Sequence, residues 1–190
     1  MSKCLAFILL FFVFGFSSKK EEKITWSPEY KLRWKDFLGK PKNDEKATAV
    51  SNIAISDYYK NQTDNRVFLD IKCEFNRYKS WVKKDQASDL ILRHEQYHFN
   101  LGEVYSRILK KRVLELNSDK HVNKKQYDAV YEQLISDHWE MQNEYDDETD
   151  CSINENQQKK WEQKIDSLLL VYEKYSTYKR IELKFTDSDN

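Results

Sequence analysis

The chain has 190 residues, enough for one domain with a full hydrophobic core and a short leader but too few for two such domains. Only 3 Gly and 2 Pro are present, which favours long helices over a turn-rich β-sandwich. The 32 Lys and Arg balance the 32 Asp and Glu and are scattered along the chain, which argues against a nucleic-acid partner.

The start of the chain has the composition of an export signal. Lys3 precedes an apolar run over residues 5–16, and small residues provide a cleavage site after Ser17. This run is shorter than the ~20 apolar residues of a membrane-spanning helix. We therefore predict a signal peptide over residues 1–17, a charged linker over 18–23, and a secreted or periplasmic location in a bacterium. An uncleaved N-terminal anchor is the alternative.

Two β-compatible segments follow the linker. An aromatic stretch over residues 26–41 is expected to pack on the domain as a clasp. Residues 47–58 alternate weakly, and residues 67–75 clearly, between apolar and polar side chains, which predicts a β-hairpin. Cys73 lies on the apolar face of the second strand, which predicts a buried thiol. In an exported protein, a disulfide with Cys151 is the alternative.

The second half of the chain carries the spacing of three long helices. Ser88 or Asp89 can cap the first helix, and Asn154 begins a capping box for the third. The predicted bounds are about 90–116, 124–145 and 155–175. The pattern predicts an α+β fold, a small N-terminal β-hairpin or sheet followed by three long helices. We place this single domain at residues 24–180 and a C-terminal tail at 181–190.

The pentad HEQYH, residues 94–98, lies on the first of these helices. On a helix, His94 and His98 are about one turn apart on one inward-facing stripe, with Glu95 beside them. Zinc hydrolases hold their metal with two histidines at this spacing and use the carboxylate to activate water. The pattern therefore predicts two zinc ligands and a catalytic base. The alternative is a helix with two packed or exposed histidines and no metal.

A catalytic zinc needs a third protein ligand, which the pentad does not supply. Glu103 lies about half a turn around the helix from His94, which predicts a solvated or ion-paired side chain. On its apolar stripe, His138 is favoured as a core residue with one hydrogen bond. Spacing alone does not choose among the downstream candidates, which are Cys151, His138, Glu144, Asp147, Glu148 and Asp150.

Three motifs carry a likeness that runs from about Ile24 to Leu169, nearly the whole of the predicted mature chain. They are HEQYHFNL from His94, Leu32-x-Trp34-x-Asp36-Phe37-x-Gly39-x-Pro41, and Tyr145-Asp146-x-Glu148-Thr149-x-Cys151-Ser152-x-Asn154 with Gln158 and Trp161 after it. In this order they resemble a bacterial family of exported proteins, described as a domain of unknown function and predicted to be secreted zinc-dependent proteases. The resemblance implies a zincin-like metallopeptidase domain that binds Zn²⁺ and cleaves peptide or protein substrates.

The chain departs from the family pattern at two positions. The family usually has histidine at the position of Cys151, and often aspartate at that of Asn100. The resemblance therefore implies a metal ligand at Cys151, whose thiolate can bind zinc at about 2.3 Å while weakening its pull on bound water. We expect an exported zinc metallopeptidase with His94, His98 and Cys151 as ligands and Glu95 as base. A catalytically inactive exported binding module of the same fold is the alternative.

Overall fold

The protein is described by a computed structural model that covers residues 22–41, 47–61, 66–116, 122–177 and 180–186. The predicted signal peptide over residues 1–17 and most of the predicted linker lie outside these ranges. The predicted α+β class is confirmed, since a mixed sheet packs against three long helices. None of the helices in the described ranges is both long and apolar enough to cross a membrane.

The strands of the described part are mostly short, and the helices are long. The strands are β1 (Lys23–Thr25), β2 (Ala49–Val50), β3 (Ile53–Asn61), β4 (Arg66–Asn76), β5 (Trp81–Val82), β6 (Val122–Asn123) and β7 (Ile181–Thr186). The helices are α1 (Asp89–Leu116), α2 (Lys124–Thr149) and α3 (Glu155–Val171), with 3₁₀ turns at Trp34–Asp36 and Glu173–Tyr175.

The long strand β4 is the centre of the sheet. It forms the predicted hairpin with β3 through antiparallel pairing from Val67 to Phe75. Because β3 occupies one edge of β4 over this length, β1 and β7 share the other edge, at opposite ends of the strand. The short strand β6 joins β7 in parallel, and β2 pairs with β5 in a separate two-stranded sheet. Buried apolar residues alternate along β4, and they form the sheet side of the core.

The C-terminal segment is part of the sheet instead of a tail. Residues 181–186, part of the predicted C-terminal tail over 181–190, form β7, and residues 181–184 pair with β4. Ile181 and Leu183 are buried in the main core, and their burial holds the strand in place. Residues 187–190 lie outside the described ranges. The domain therefore uses both ends of the described chain to complete one sheet.

Helix α1 lies directly on this sheet. A Cβ atom added to Gly102 would lie 2.5 Å from Ile53 Cγ2 and 2.8 Å from Cys73 Sγ, closer than non-bonded atoms can approach. The Cys73 thiol is buried, as predicted, and donates to the carbonyl of Phe99 at 3.6 Å. Only glycine allows the helix backbone to pack this close to the strands. One side of α1 therefore faces the sheet, and α2 and α3 pack on other sides of the same helix.

The predicted aromatic clasp packs on α1 and β4. Phe37 contacts Phe75 with ring centroids 5.0 Å apart, and Phe75 contacts Phe99 at 5.9 Å. Trp26 donates from Nε1 to Asn100 Oδ1 at 3.0 Å. The N-terminal segment thereby covers one end of the sheet and fixes the position of α1 above it.

Candidate metal centre

Two helices bring three donor atoms together at one point. His94 and His98 come from consecutive turns of α1, and Asp146 comes from the last turns of α2. Asp146 Oδ1 lies 2.9 Å from Nε2 of each histidine, and the two Nε2 atoms are 3.0 Å apart. These edges are near the ~3.3 Å between ligands of a tetrahedral zinc with bonds of ~2.05 Å. In the part of the chain that is described, these residues form a group that can hold a metal ion.

Two glutamine side chains determine which nitrogen of each imidazole faces this point. Gln158 Oε1 lies 2.9 Å from His94 Nδ1, and Gln142 Oε1 lies 2.5 Å from His98 Nδ1. An amide oxygen only accepts hydrogen bonds, so each Nδ1 carries the proton and each Nε2 presents a lone pair. Two lone pairs and a carboxylate oxygen within 3.0 Å of each other require a shared proton or a cation between them. This arrangement of partners is the one that metal-binding histidines use.

Both amide orientations are supported by further contacts. Gln158 donates from Nε2 to Tyr145 Oη at 2.6 Å and to Glu162 at 3.0 Å. Gln142 donates from Nε2 to the carbonyl of His98 at 3.2 Å and to His138 Nε2 at 2.8 Å. Reversing the amide of Gln158 would place its oxygen against the Glu162 carboxylate, and reversing that of Gln142 would place its oxygen against the carbonyl of His98, which are repulsive contacts. The imidazole tautomers therefore follow from the packing of the three helices.

The charges of the group are strongly coupled. Burial alone would raise the pKa of Asp146, but its contacts with His94 and His98 and the positive charge of a protonated imidazole outweigh burial and hold that pKa well below its usual range. Burial alone would lower the pKa of His98, but the hydrogen bond and charge of Asp146 raise it, as does the charge of Glu95. In the absence of a cation, the group therefore favours a carboxylate with a protonated imidazole, a positive charge that a metal ion can replace.

The buried ring of Tyr145 packs against both imidazoles. Its ring stacks on His94 with centroids 4.4 Å apart and meets His98 edge-on at 4.9 Å. The residue has no exposed surface, and its hydroxyl donates to the carbonyl of His94 at 3.4 Å. Burial raises the pKa of Tyr145. Tyr145 thus fixes the ligands and does not reach the open side of the centre.

Glu95 lies next to the ligands with an unsatisfied oxygen. The residue is 4 % exposed, and its Oε2 has no hydrogen-bond partner among the described residues. Its charge acts on His98, which places the carboxylate in the field of the centre. A buried carboxylate oxygen without a partner is costly, and native structures leave few such groups. The position suits a carboxylate that handles a water molecule at the metal site.

The third donor is Asp146, which is not among the sequence candidates. Helix α2 continues to Thr149, beyond its predicted end at about residue 145, so Asp146 lies one turn after Gln142 on the inner face. Of the six candidates, His138 hydrogen-bonds to Gln142, Glu144 pairs with Lys164, Glu148 accepts from Trp161, and Asp147, Asp150 and Cys151 are exposed. Extending the predicted helix α2 by one turn would have placed Asp146 on its inner face and made it a candidate ligand.

Cys151 stands outside the group because the chain turns sharply after α2. Asp150, Cys151 and Ser152 have φ values of 49°, 47° and 85°, three consecutive non-glycine residues in the left-handed region. Each costs conformational energy, which the buried Ser152 and the backbone bond from Cys151 to Asp146 help to offset. The Cys151 side chain is exposed while Cys73 is buried, and both thiols are free. The structure therefore contains no Cys73–Cys151 disulfide.

Two other sequence expectations are confirmed near the centre. His138 is a core histidine, 5 % exposed, and its pKa is lowered to about 4 by burial and by the charge of His98. It accepts one hydrogen bond from Gln142, which in turn holds His98. Glu103 is ion-paired with Arg107 at 2.8 Å and is not a ligand, although it is buried instead of solvated.

Comparison of the chain with protein-family models, with curated proteins and with solved structures finds no match. The function of the protein is therefore inferred from the residues of the centre and their geometry. Those residues are His94, His98, Asp146 and Glu95, with Gln142 and Gln158 behind the imidazoles.

Proposed function

We propose that the protein is an exported zinc-dependent metallopeptidase with His94, His98 and Asp146 as its ligands. The convergence of two Nε2 lone pairs and one carboxylate oxygen within 3.0 Å carries the proposal. Two imidazoles and a carboxylate make a catalytic zinc site when a further position stays open to water. The export signal, predicted over residues 1–17, and the sequence resemblance support the same assignment.

The chain's own residues have distinct roles in this mechanism. Zinc, when bound, lowers the pKa of a coordinated water and polarises the substrate carbonyl. Glu95 accepts the proton of the attacking water and returns it to the leaving amine, as its unpartnered buried oxygen allows. Gln142 and Gln158 keep the Nε2 atoms of the ligands free of protons by accepting hydrogen bonds at Nδ1.

The centre is open on the side of Asp146. Its side chain is 39 % exposed, against 4 % and 12 % for the side chains of His94 and His98. Trp139 lies seven residues earlier on α2, on the same face and about 10.5 Å along the helix axis. It is 60 % exposed and offers a flat apolar surface to a substrate side chain about two helical turns from the centre. A peptide would approach along this face.

The binding-module alternative rested on a site lost through Cys151. Because Asp146 provides a third donor, the loss of histidine at position 151 does not leave the centre with two ligands. A different alternative comes from the donor set, since two histidines and one carboxylate also hold iron(II) in oxygenases. Glu95 favours hydrolysis, because a buried base beside the metal serves to activate water.

The decisive experiment measures metal content and peptide cleavage on the same preparations. The chain without residues 1–17 should carry one zinc per molecule by elemental analysis and cleave a peptide mixture, read by mass spectrometry. Glu95→Gln should keep the zinc and lose roughly 10²- to 10⁴-fold in cleavage rate. Glu115→Gln, an exposed position on the same helix, is the control and should behave as wild type.

Three outcomes would contradict the proposal. If the purified wild-type protein carried no stoichiometric metal, His94, His98 and Asp146 would not form a metal site. Stoichiometric iron with oxygen-dependent chemistry would favour the oxygenase. Full cleavage by Glu95→Gln would show that the carboxylate is not the base.

A further inference from the structure

A large cavity of the described structure lies away from the metal centre. It is a groove of about 1100 Å³ between β4, the C-terminal part of α3 and the segment after β1. Apolar surface comes from Trp26, Ile71 and Leu169, among others. None of the three metal-site residues lines it. The volume is that of a site for a small organic molecule.

A row of charged residues on α1 forms the floor of this groove. Glu103, Arg107 and Lys110 line it, and they are only 6 %, 5 % and 6 % exposed. Charged side chains are almost never buried to this extent without partners. A charged residue of this row that has no partner in the described structure therefore indicates a missing ligand.

Within this row Glu103 and Arg107 form an ion pair, and Lys110 has no carboxylate of its own. Arg107 Nε donates to Glu103 at 2.8 Å and its Nη1 to the carbonyl of Leu169 at 2.6 Å, while its guanidinium stacks over the Trp26 ring at 5.2 Å. Asp70, which also lines the groove, pairs with Lys72 at 3.0 Å. Both carboxylates whose charges act on Lys110 are thus already neutralised.

Lys110 has neither a hydrogen bond nor an ion pair with any residue in the described ranges. Burial lowers the pKa of Lys110, which is the expected response of an ammonium group without a counter-ion. The lining also contains Lys31, Arg180, Asp166 and Glu173, all of them exposed, and their charges sum to zero. The buried end of the groove therefore carries one uncompensated positive charge.

From this geometry we infer a second ligand site, in which the groove binds a small amphiphilic carboxylate. The carboxylate pairs with Lys110 at the buried end, and an apolar chain lies against Trp26, Ile71 and Leu169. A monocarboxylate fits better than a phosphate, because a single cation is free and most of the exposed surface inside the groove is apolar. The site is independent of the metal centre and of the proposed peptidase activity.

Calorimetric titration with octanoate and with octanol tests this inference. The two probes share one chain, so the difference between their affinities isolates the carboxylate. We expect octanoate to bind the wild-type protein at least ~10-fold more tightly than octanol, the factor typical of a charged hydrogen bond. Lys110→Met should abolish this preference and leave octanol binding unchanged. Lys110→Arg, which restores the charge, should recover part of it.

Lys111→Met is the matched control, because Lys111 is the next residue on α1, does not line the groove and pairs with Glu115. It should bind both probes as wild type does. An apolar tripeptide with a free C-terminus, compared with its C-terminal amide, distinguishes a peptide carboxylate from a fatty acid. Equal binding of octanoate and octanol, unchanged octanoate binding by Lys110→Met, or no binding of any probe would each overturn the inference.

Discussion

The buried polar side chains on two faces of α1 are paired in different ways. On one face, His94 and His98 meet Asp146 at a single point, and their remaining nitrogens are held by glutamines from the neighbouring helices. On the other face, Glu103 and Arg107 form a closed ion pair, and Lys110 is left over. The first face is arranged around one atom-sized position. The second is a groove with one unmatched charge, so the two faces are suited to ligands of different size and sign.

Replacing Asp146 is the strongest way to break the metal face. Asp146→Asn removes the charge that holds the two imidazoles, and we expect zinc affinity to fall by at least ~100-fold, beyond the 10- to 100-fold typical of outer partners. Competition with a fluorescent zinc chelator measures the change. Cys151→Ser is the control, because the thiol is exposed and outside the group. A larger loss for Cys151→Ser than for Asp146→Asn would reverse the assignment of the third ligand.

A smaller effect on the same face comes from the partner of His98. Gln142→Met leaves His98 Nδ1 and His138 Nε2 without their hydrogen bonds, so zinc affinity should fall by about 10- to 100-fold. The same chelator competition gives the value. Gln133→Met, at an exposed position on α2, should leave the affinity unchanged. Equal affinities for both variants would show that the imidazole does not need this amide.

The contact between α1 and the sheet, which sets the position of both faces, is tested at Gly102. Gly102→Ala places a methyl group against Ile53 and Cys73, and overpacking costs about 1–3 kcal/mol, more than the ~1 kcal/mol gained in helix propensity. We expect a net loss in the free energy of unfolding, measured by urea denaturation. A variant as stable as wild type would mean that the sheet and helix separate easily.

The smallest effect concerns Lys110 in the absence of ligand. At neutral pH, Lys110→Met should raise the free energy of unfolding by ~1 kcal/mol, because an unmatched buried charge is removed. In the folded protein, burial lowers the pKa of Lys110; the charges of Glu103 and Asp70 oppose this shift and the charge of Arg107 adds to it. Between that lowered pKa and 10.5, the unfolded chain therefore binds more protons than the folded protein.

Wild-type stability contributed by this group therefore rises with pH across that window, and the advantage of Lys110→Met should shrink towards pH 10.5. Urea denaturation at several pH values, with Lys111→Met as the reference, measures this dependence. A constant difference between Lys110→Met and wild type at all pH values would show that the charge is not the cause.

Local signals in the sequence were sufficient to place the starts of the three long helices. Ser88 accepts from the backbone of Ile91 at the start of α1, and Asn154 accepts from Gln157 at the start of α3, as the capping patterns predicted. The burial of Cys73 followed from strand alternation in the same way. In each case the relevant partners are close in sequence, so a short window contains the cause.

Features set by distant partners could not be found in this way. The strand β7 forms because residues 181–184 pair with β4, more than a hundred residues earlier, and the segment itself is short. Asp146 was missed because several carboxylates follow Tyr145, and only the extension of α2 to Thr149 decides which one turns inward. Lys110 has no ion-pair partner among the described residues, and this too depends on how distant segments pack together.

The left-handed turn at Asp150–Ser152 makes the metal centre sensitive to chain length. Asp146 before the turn and Gln158 after it hold the two nitrogens of the same imidazole, that of His94. Deleting one residue of the turn would displace Gln158 relative to Asp146 without changing any ligand. The number of residues in this turn therefore matters more to the centre than the residue type at position 151, whose side chain is exposed and lies outside the group.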